Sequence, residues 1–199
     1  VEDALPGQLV RAQVAAVRKS LAEAALVEVL ERSPDEQEPP CPHAGRCGGC
    51  SWQSLAYGRQ LAWKERIVHD ALERVGKVAC PPMLPILPSP SEWGYRNKME
   101  FAFGVSGDGG KALGLRERGS RNIVEVTGCL LQTPLTMRVL EAVRMLSNGA
   151  FHDLDGRFVV VREPNAGGCF VELIVGAGGS LEAGERFAEA LRAETPEVT

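Results

Sequence analysis

Three cysteines lie within ten residues of this chain, at Cys41, Cys47 and Cys50, in a C-x5-C-G-G-C arrangement. The paired glycines allow the backbone to curl until neighbouring sulfurs point at one centre, which constrains the segment to a loop. Thiolates are the preferred ligands of zinc and of iron–sulfur clusters. The spacing therefore predicts a metal-binding or cluster-binding loop that needs a fourth ligand from elsewhere in the chain.

The composition of the 199 residues is that of a globular protein, since 44% are hydrophobic and 24% are charged. This length allows a core in one or two domains. The apolar runs are too short to span a membrane, and the start does not resemble a signal peptide, which together predict a cytoplasmic location. In a reducing compartment, tightly spaced cysteines indicate metal binding rather than disulfide bonds.

The net charge of −4 argues against a protein that coats nucleic acid without specificity. The charge is unevenly distributed, however. Residues 94–121 hold six Lys or Arg against three Asp or Glu, whereas residues 28–38 hold one Arg against five acidic residues. A basic centre after an acidic segment is compatible with a local phosphate-contacting face, and a solvated charged hairpin is the alternative.

The first half of the chain contains one conflict between patterns. Residues 9–31 are rich in alanine, and their apolar side chains fall at helical spacing, which favours a helix. The same segment also fits two strands, at residues 9–14 and 25–30, joined by a polar turn at residues 18–20. An acidic linker with prolines follows, and an apolar stripe predicts a helix over residues 54–75, ended by Gly76.

The second half begins after a proline-rich connector, near Trp93, and its patterns alternate in the order β-β-β-α-β-β-α. A glycine-rich turn at residues 107–110 predicts a hairpin rather than a phosphate loop, because no helix and no Lys-Ser/Thr pair follow it. The order indicates an α+β fold, a mostly antiparallel sheet with helices on one face. The predicted strands are 95–104, 112–118, 123–126, 158–162 and 169–175, and the predicted helices are 133–146 and 181–193.

The fourth ligand of the cysteine loop has four candidates in the sequence: Cys80, Cys129, Cys169 and His43. Cys129 is the best placed, because it follows a glycine at the end of a short strand, whereas Cys169 begins an apolar strand and is expected to be buried. Zinc sites usually offer two C-x2-C pairs, and this chain has one. The spacing alone therefore favours a cubane iron–sulfur cluster over zinc, with zinc left open.

Three ordered motifs resemble the RNA (uracil-5-)-methyltransferase family: C-x5-C-G-G-C at residues 41–50, W-G-Y-R-N-K-M-E-F at residues 93–101, and V-T-G-C at residues 126–129. The branch that modifies 23S ribosomal RNA and carries a cluster is the most similar. The resemblance covers nearly the whole chain. It implies that a 4Fe-4S cluster is held by four cysteines, which are Cys41, Cys47, Cys50 and Cys129.

The resemblance also implies a domain order: a partial TRAM-like β-barrel segment over residues 1–37, the cysteine loop with its helix and connector over 38–92, and a central α+β domain over 93–199. It favours strands in residues 9–31. The family's methyltransferase domain, which binds S-adenosylmethionine and holds the nucleophilic cysteine, has no counterpart here. We therefore expect an enzyme as the parent protein and no catalytic residue in this chain.

The resemblance further implies that structured RNA is the partner, with ribosomal RNA favoured over tRNA, and that no obligate protein partner is needed. The candidate RNA contacts on the predicted strand are Arg96 and Lys98, two residues apart on one sheet face, together with Glu100. A solvated row in which Glu100 pairs with its basic neighbours is the alternative for this strand. Trp52 and Gln53, directly after the cysteine loop, are further candidates, and packing beside the cluster is the alternative for Trp52. The alternatives are a stand-alone zinc or iron–sulfur nucleic-acid-binding module without catalysis and, less favoured, a small electron carrier.

Overall fold

The computed structural model describes residues 1–19, 21–79 and 81–199. These residues form two compact units. The first combines Val1–Ala44 with Cys50–Pro90, and the second combines Gly45–Gly49 with Ser91–Thr199. The division of the sequence at residues 37 and 92 stays a prediction. Two residues named in the sequence predictions, Ser20 of the turn and the candidate ligand Cys80, lie outside the described residues.

The conflict over residues 9–31 is resolved in favour of strands. Strand β1, Leu9–Arg18, pairs antiparallel with strand β2, Leu21–Glu31. β-branched valines along both strands favour an extended backbone, because two heavy atoms on Cβ restrict the side chain in a helix. Many apolar side chains of this hairpin are more than half exposed, such as Val17 at 76%.

The helix predicted over residues 54–75 is present, with different bounds. Helix α1, Tyr57–Asp70, continues into one π-helical turn, Ala71–Val75. The N–H of Gly76 donates to the carbonyl of Ala71 at 2.8 Å, which closes that wider turn and ends the helix near the predicted residue. No residue of α1 is fully buried, so the predicted apolar stripe is only partly covered.

The second unit is a five-stranded sheet with two helices. All four pairs of neighbouring strands are antiparallel, in the order β5-β4-β3-β6-β7. The strands are β3 (Lys98–Val105), β4 (Lys111–Arg116), β5 (Ile123–Val124), β6 (Gly156–Arg162) and β7 (Phe170–Val175), and the helices are α2 (Pro134–Asn148) and α3 (Leu181–Glu194). The predicted element order and the α+β class with antiparallel sheets are confirmed.

The main core of the second unit lies between one face of this sheet and the two helices. Phe101 from β3 and Val159 from β6 meet Val139 from α2 and Phe187 from α3, and each is at most 2% exposed. We refer to this side of the sheet as its helix face and to the opposite side as its outer face. Among the described residues, no helix is long and apolar enough to cross a membrane.

Helix α2 begins where the sequence predicted. The Thr133 hydroxyl accepts a hydrogen bond from the backbone N–H of Thr136 at 3.2 Å, and Pro134 occupies the first helical position, where its missing N–H costs no hydrogen bond. Glu163, directly after β6, also accepts a hydrogen bond from this N–H at 3.1 Å. A carboxylate at a helix N-terminus interacts favourably with the helix dipole, so α2 is anchored to the end of β6.

Two glycines are expected to respond oppositely to replacement by alanine. Gly184 lies inside α3 with open space around the position of an added Cβ, so Gly184→Ala should raise the free energy of unfolding by about 0.5–1 kcal/mol through lower unfolded-state entropy. At Gly114 the added Cβ would lie 2.1 Å from the Val124 carbonyl oxygen, so Gly114→Ala should lower it. Urea unfolding measures both, and shifts of the same sign would contradict this packing.

Candidate metal centre

The loop Cys47-Gly48-Gly49 is fixed to the sheet of the second unit by backbone pairing. Cys47 forms an isolated antiparallel bridge with Glu117, just past β4. The N–H of Gly48 donates to the Arg116 carbonyl at 3.0 Å, and the Arg118 N–H donates to the Arg46 carbonyl at 2.8 Å. A short loop is thus held in one conformation by backbone hydrogen bonds.

The two glycines of this loop differ in what they do: Gly48 permits a close backbone approach, and Gly49 donates a hydrogen bond to a cysteine sulfur. A Cβ on Gly48 would lie 3.2 Å from the Arg116 carbonyl oxygen, so glycine permits the close approach of the two backbones. The N–H of Gly49 donates to the sulfur of Cys47 at 3.4 Å. Hydrogen bonds to sulfur stabilise the thiolate form and tune the properties of iron–sulfur centres. The donor chemistry around Cys47 therefore suits a thiolate ligand.

The turn that receives Cys47 is itself ordered by side-chain hydrogen bonds. The hydroxyl of Ser120 donates to the Glu117 carboxylate at 2.8 Å, and the amide of Asn122 donates to the same oxygen at 3.1 Å. These two bonds, with the Ser120 bond the stronger influence, lower the pKa of Glu117. The carboxylate thus stays ionised and continues to hold the turn beside Cys47.

The predicted ligands are distributed over both units. Cys41 and Cys50 are half-buried members of the first unit. Cys47 and Cys129 are half-buried members of the second, and both pack against the margin of its core. Within residues 1–19, 21–79 and 81–199, no three Cys, His, Asp or Glu side chains are gathered as a group able to hold a metal ion. The four-cysteine ligand set stays a prediction.

Cys169, one alternative fourth ligand, is buried as expected. It is 1% exposed and belongs to the core of the second unit. Burial raises the pKa of its thiol, and the nearby carboxylates of Glu163 and Glu197 raise it further. Because the thiolate is the form that binds metal, a buried thiol with a raised pKa is a poor ligand.

The candidate RNA contacts on the predicted strand have different local structures. β3 begins at Lys98 rather than at the predicted Tyr95, and the Arg96 N–H before it donates to the Leu131 carbonyl at 3.0 Å. Arg96 is therefore a half-buried residue of the preceding segment. Lys98 and Glu100 are exposed and share the outer face of the sheet, as their spacing predicts.

Trp52 and Gln53 are half-buried in the first unit. The Trp52 carbonyl accepts hydrogen bonds from the Leu55 N–H at 3.0 Å and from the Gln60 amide at 3.1 Å. The side-chain oxygen of Gln53 is buried and has no hydrogen-bond partner among the residues that the structure describes. The RNA role of both residues stays a prediction.

Sequence reasoning did not find the pairing between residues 46–48 and 116–118. The two segments are some seventy positions apart, and only residues 116–118 belong to a predicted strand, whereas residues 46–48 have no strand pattern. The only signal was the glycine pair itself, which indicates a close backbone approach without naming the partner.

No family model matches the chain. The chain is 46% identical over its whole length to an uncharacterized RNA methyltransferase of Nitratidesulfovibrio vulgaris, of which it covers 45%. It is 47% identical over 119 residues to one of Caldanaerobacter subterraneus, covering 26% of it, and 36% identical over 144 residues to one of Thermosynechococcus vestitus, covering 32%. The chain spans less than half the length of each of these relatives.

Proposed function

Because the chain is a homologue of RNA methyltransferases, we propose that it is the RNA-recognition and 4Fe-4S-binding part of an S-adenosylmethionine-dependent RNA uracil-5-methyltransferase. The single observation that carries the proposal is sequence similarity along the entire chain to a protein named as an uncharacterized RNA methyltransferase. The motifs at residues 41–50, 93–101 and 126–129 supply the uracil-5 class. The substrate is structured RNA in the cytoplasm, with ribosomal RNA favoured over tRNA.

Four residues would hold the cluster in this proposal: Cys41, Cys47, Cys50 and Cys129. All four donors are thiols, the ligand type that iron–sulfur clusters require, and the Gly49 N–H already donates to one of the sulfurs. When bound, the cluster would supply iron–sulfur bonds to these four sulfurs. Its role is structural, because methyl transfer from S-adenosylmethionine needs no electron transfer.

This chain contributes binding and orientation rather than bond-making. In a uracil-5-methyltransferase a cysteine adds to carbon 6 of uracil and activates carbon 5 for the methyl group, and a carboxylate helps to remove the proton from carbon 5. We assign neither role to a residue of this chain. Its exposed cations, such as Lys98, would position the RNA for that chemistry.

The uracil-5 assignment is tested by nucleoside analysis. The whole protein that contains this chain is incubated with S-adenosylmethionine and with unmodified ribosomal RNA or unmodified tRNA, and the digested RNA is analysed by mass spectrometry. We expect 5-methyluridine in the ribosomal RNA. A methyl group on another base would contradict the uracil-5 assignment, and 5-methyluridine in tRNA alone would contradict the preferred substrate.

A further inference from the structure

The outer face of the five-stranded sheet is defined by strand alternation. Met99 and Phe101 of β3 and Val159 and Val161 of β6 belong to the core on the helix face. Side chains alternate between the faces, so the intervening residues of β3, β6 and β7 lie on the outer face. Three rows cross these strands: Lys98, Arg162 and Phe170; Glu100, Val160 and Glu172; and Ala102, Phe158 and Ile174.

The first row places two cations side by side. Lys98 and Arg162 are direct cross-strand partners, and both are exposed. Like charges directly opposite each other in a sheet are destabilising unless something offsets them. Glu100 and Glu172 lie in the next row, yet among the described residues no ion pair joins either cation to a carboxylate. The arrangement therefore leaves two neighbouring positive charges for an anion from outside.

Phe170 extends the same row on the other side of Arg162. It is the direct cross-strand partner of Arg162 on the edge strand β7, and it is 56% exposed. The other phenylalanine of the outer face, Phe158, is half-buried, and the Arg116 guanidinium lies 6.0 Å from its ring centroid. Phe170 is thus the aromatic ring of this face that is open to a ligand.

We propose that Lys98, Arg162 and Phe170 form a binding site for one nucleotide of single-stranded RNA. The two cations contact the phosphate, and Phe170 stacks on the base. Neighbouring strands are about 4.8 Å apart, so the row is about 10 Å wide, which suits one phosphate and its adjacent base. Stacking needs an unpaired base, which selects single strands over a duplex.

This inference rests on the proposed RNA-binding function and adds a location and a mode of contact to it. Arg162 and Phe170 lie some sixty or more positions from Lys98 in the sequence, and only the order of strands brings the three together. The acidic row of Glu100 and Glu172 borders the site on one side. Carboxylates repel phosphates, so this row would direct the RNA backbone along the first row.

The test is fluorescence anisotropy of the 199-residue chain with a labelled single-stranded RNA of mixed sequence and with the matching duplex, over a range of salt concentrations. Phe170→Ala should weaken single-strand binding roughly tenfold, from the loss of one stacked base. Arg162→Ala should weaken binding and reduce the salt slope by about 0.7, from the loss of one phosphate contact. Thermal melts of each variant verify that it is folded.

Two matched controls distinguish the loss of this site from a general loss of positive charge or of exposed apolar surface. Arg157→Ala removes another arginine of β6, one that pairs with Asp155 at 3.4 Å, and Leu181→Ala removes an exposed apolar side chain of α3. Both should bind like the wild-type chain. If Phe170→Ala and Arg162→Ala also bind like wild type, the site is wrong while RNA binding stands. A wild-type chain that binds neither RNA at about 50 mM salt would overturn the proposed function as well.

Discussion

Replacing Phe101 with alanine is expected to lower the free energy of unfolding of the second unit by about 3–5 kcal/mol. Phe101 is 0% exposed and lies in β3, the central strand of the sheet, where it packs in the core with residues of α2 and α3. The loss combines the removed apolar contacts with the cavity that remains. Chemical denaturation followed by circular dichroism measures it.

Phe170→Ala is the matched control for that measurement. It removes the same side chain from the same sheet, but Phe170 is 56% exposed on the outer face. We expect its effect on the free energy of unfolding to be below about 1 kcal/mol. Equal losses for the two variants would mean that the core does not lie on the helix face.

Replacing Cys129 with alanine is expected to abolish cluster binding, while replacing Cys169 with alanine is expected to leave it intact. Cys129 is half-buried at the margin of the core and is the proposed fourth ligand. Cys169 is 1% exposed, and burial raises the pKa of its thiol, which disfavours the thiolate that a metal needs. Iron and acid-labile sulfide, measured after anaerobic purification, separate the two outcomes.

The pair of cysteine variants also separates the loss of a cluster ligand from the loss of packing. Removing the Cys169 side chain leaves a small core cavity and should cost some stability, whereas removing the Cys129 side chain should cost less in the cluster-free protein. Loss of iron in Cys129→Ala therefore cannot be attributed to poorer packing if Cys169→Ala keeps its iron. Iron retained by Cys129→Ala would show that another residue is the fourth ligand.

Local patterns predicted much of the secondary structure. Thr133 and Pro134 marked the start of α2 because capping and proline geometry depend on neighbouring residues only. Residues 9–31 were ambiguous because alanine and valine satisfy both a period of 3.6 and an extended pattern. Antiparallel pairing between β1 and β2 makes these residues strands, and such pairing depends on both segments together.

Long-range pairing is also why the candidate sites were only partly predicted. The shared face of Lys98 and Glu100 follows from alternation along one strand. The juxtaposition of Lys98 with Arg162 requires the strand order β3-β6-β7, which no single segment encodes. The pairing of Cys47 with Glu117 likewise joins a predicted strand, residues 112–118, to a distant loop that has no strand pattern. The sequence therefore predicted which residue types belong to the candidate sites, and only the folded structure shows which of them are neighbours.

The most direct test of the proposed cluster site is the metal content of the wild-type chain. Purified without oxygen, it is analysed for iron, acid-labile sulfide and zinc by elemental analysis and absorption spectroscopy. A chain that holds a 4Fe-4S cluster through Cys41, Cys47, Cys50 and Cys129 should contain about four iron and four sulfide per molecule and almost no zinc. One zinc per chain without iron or sulfide would contradict it.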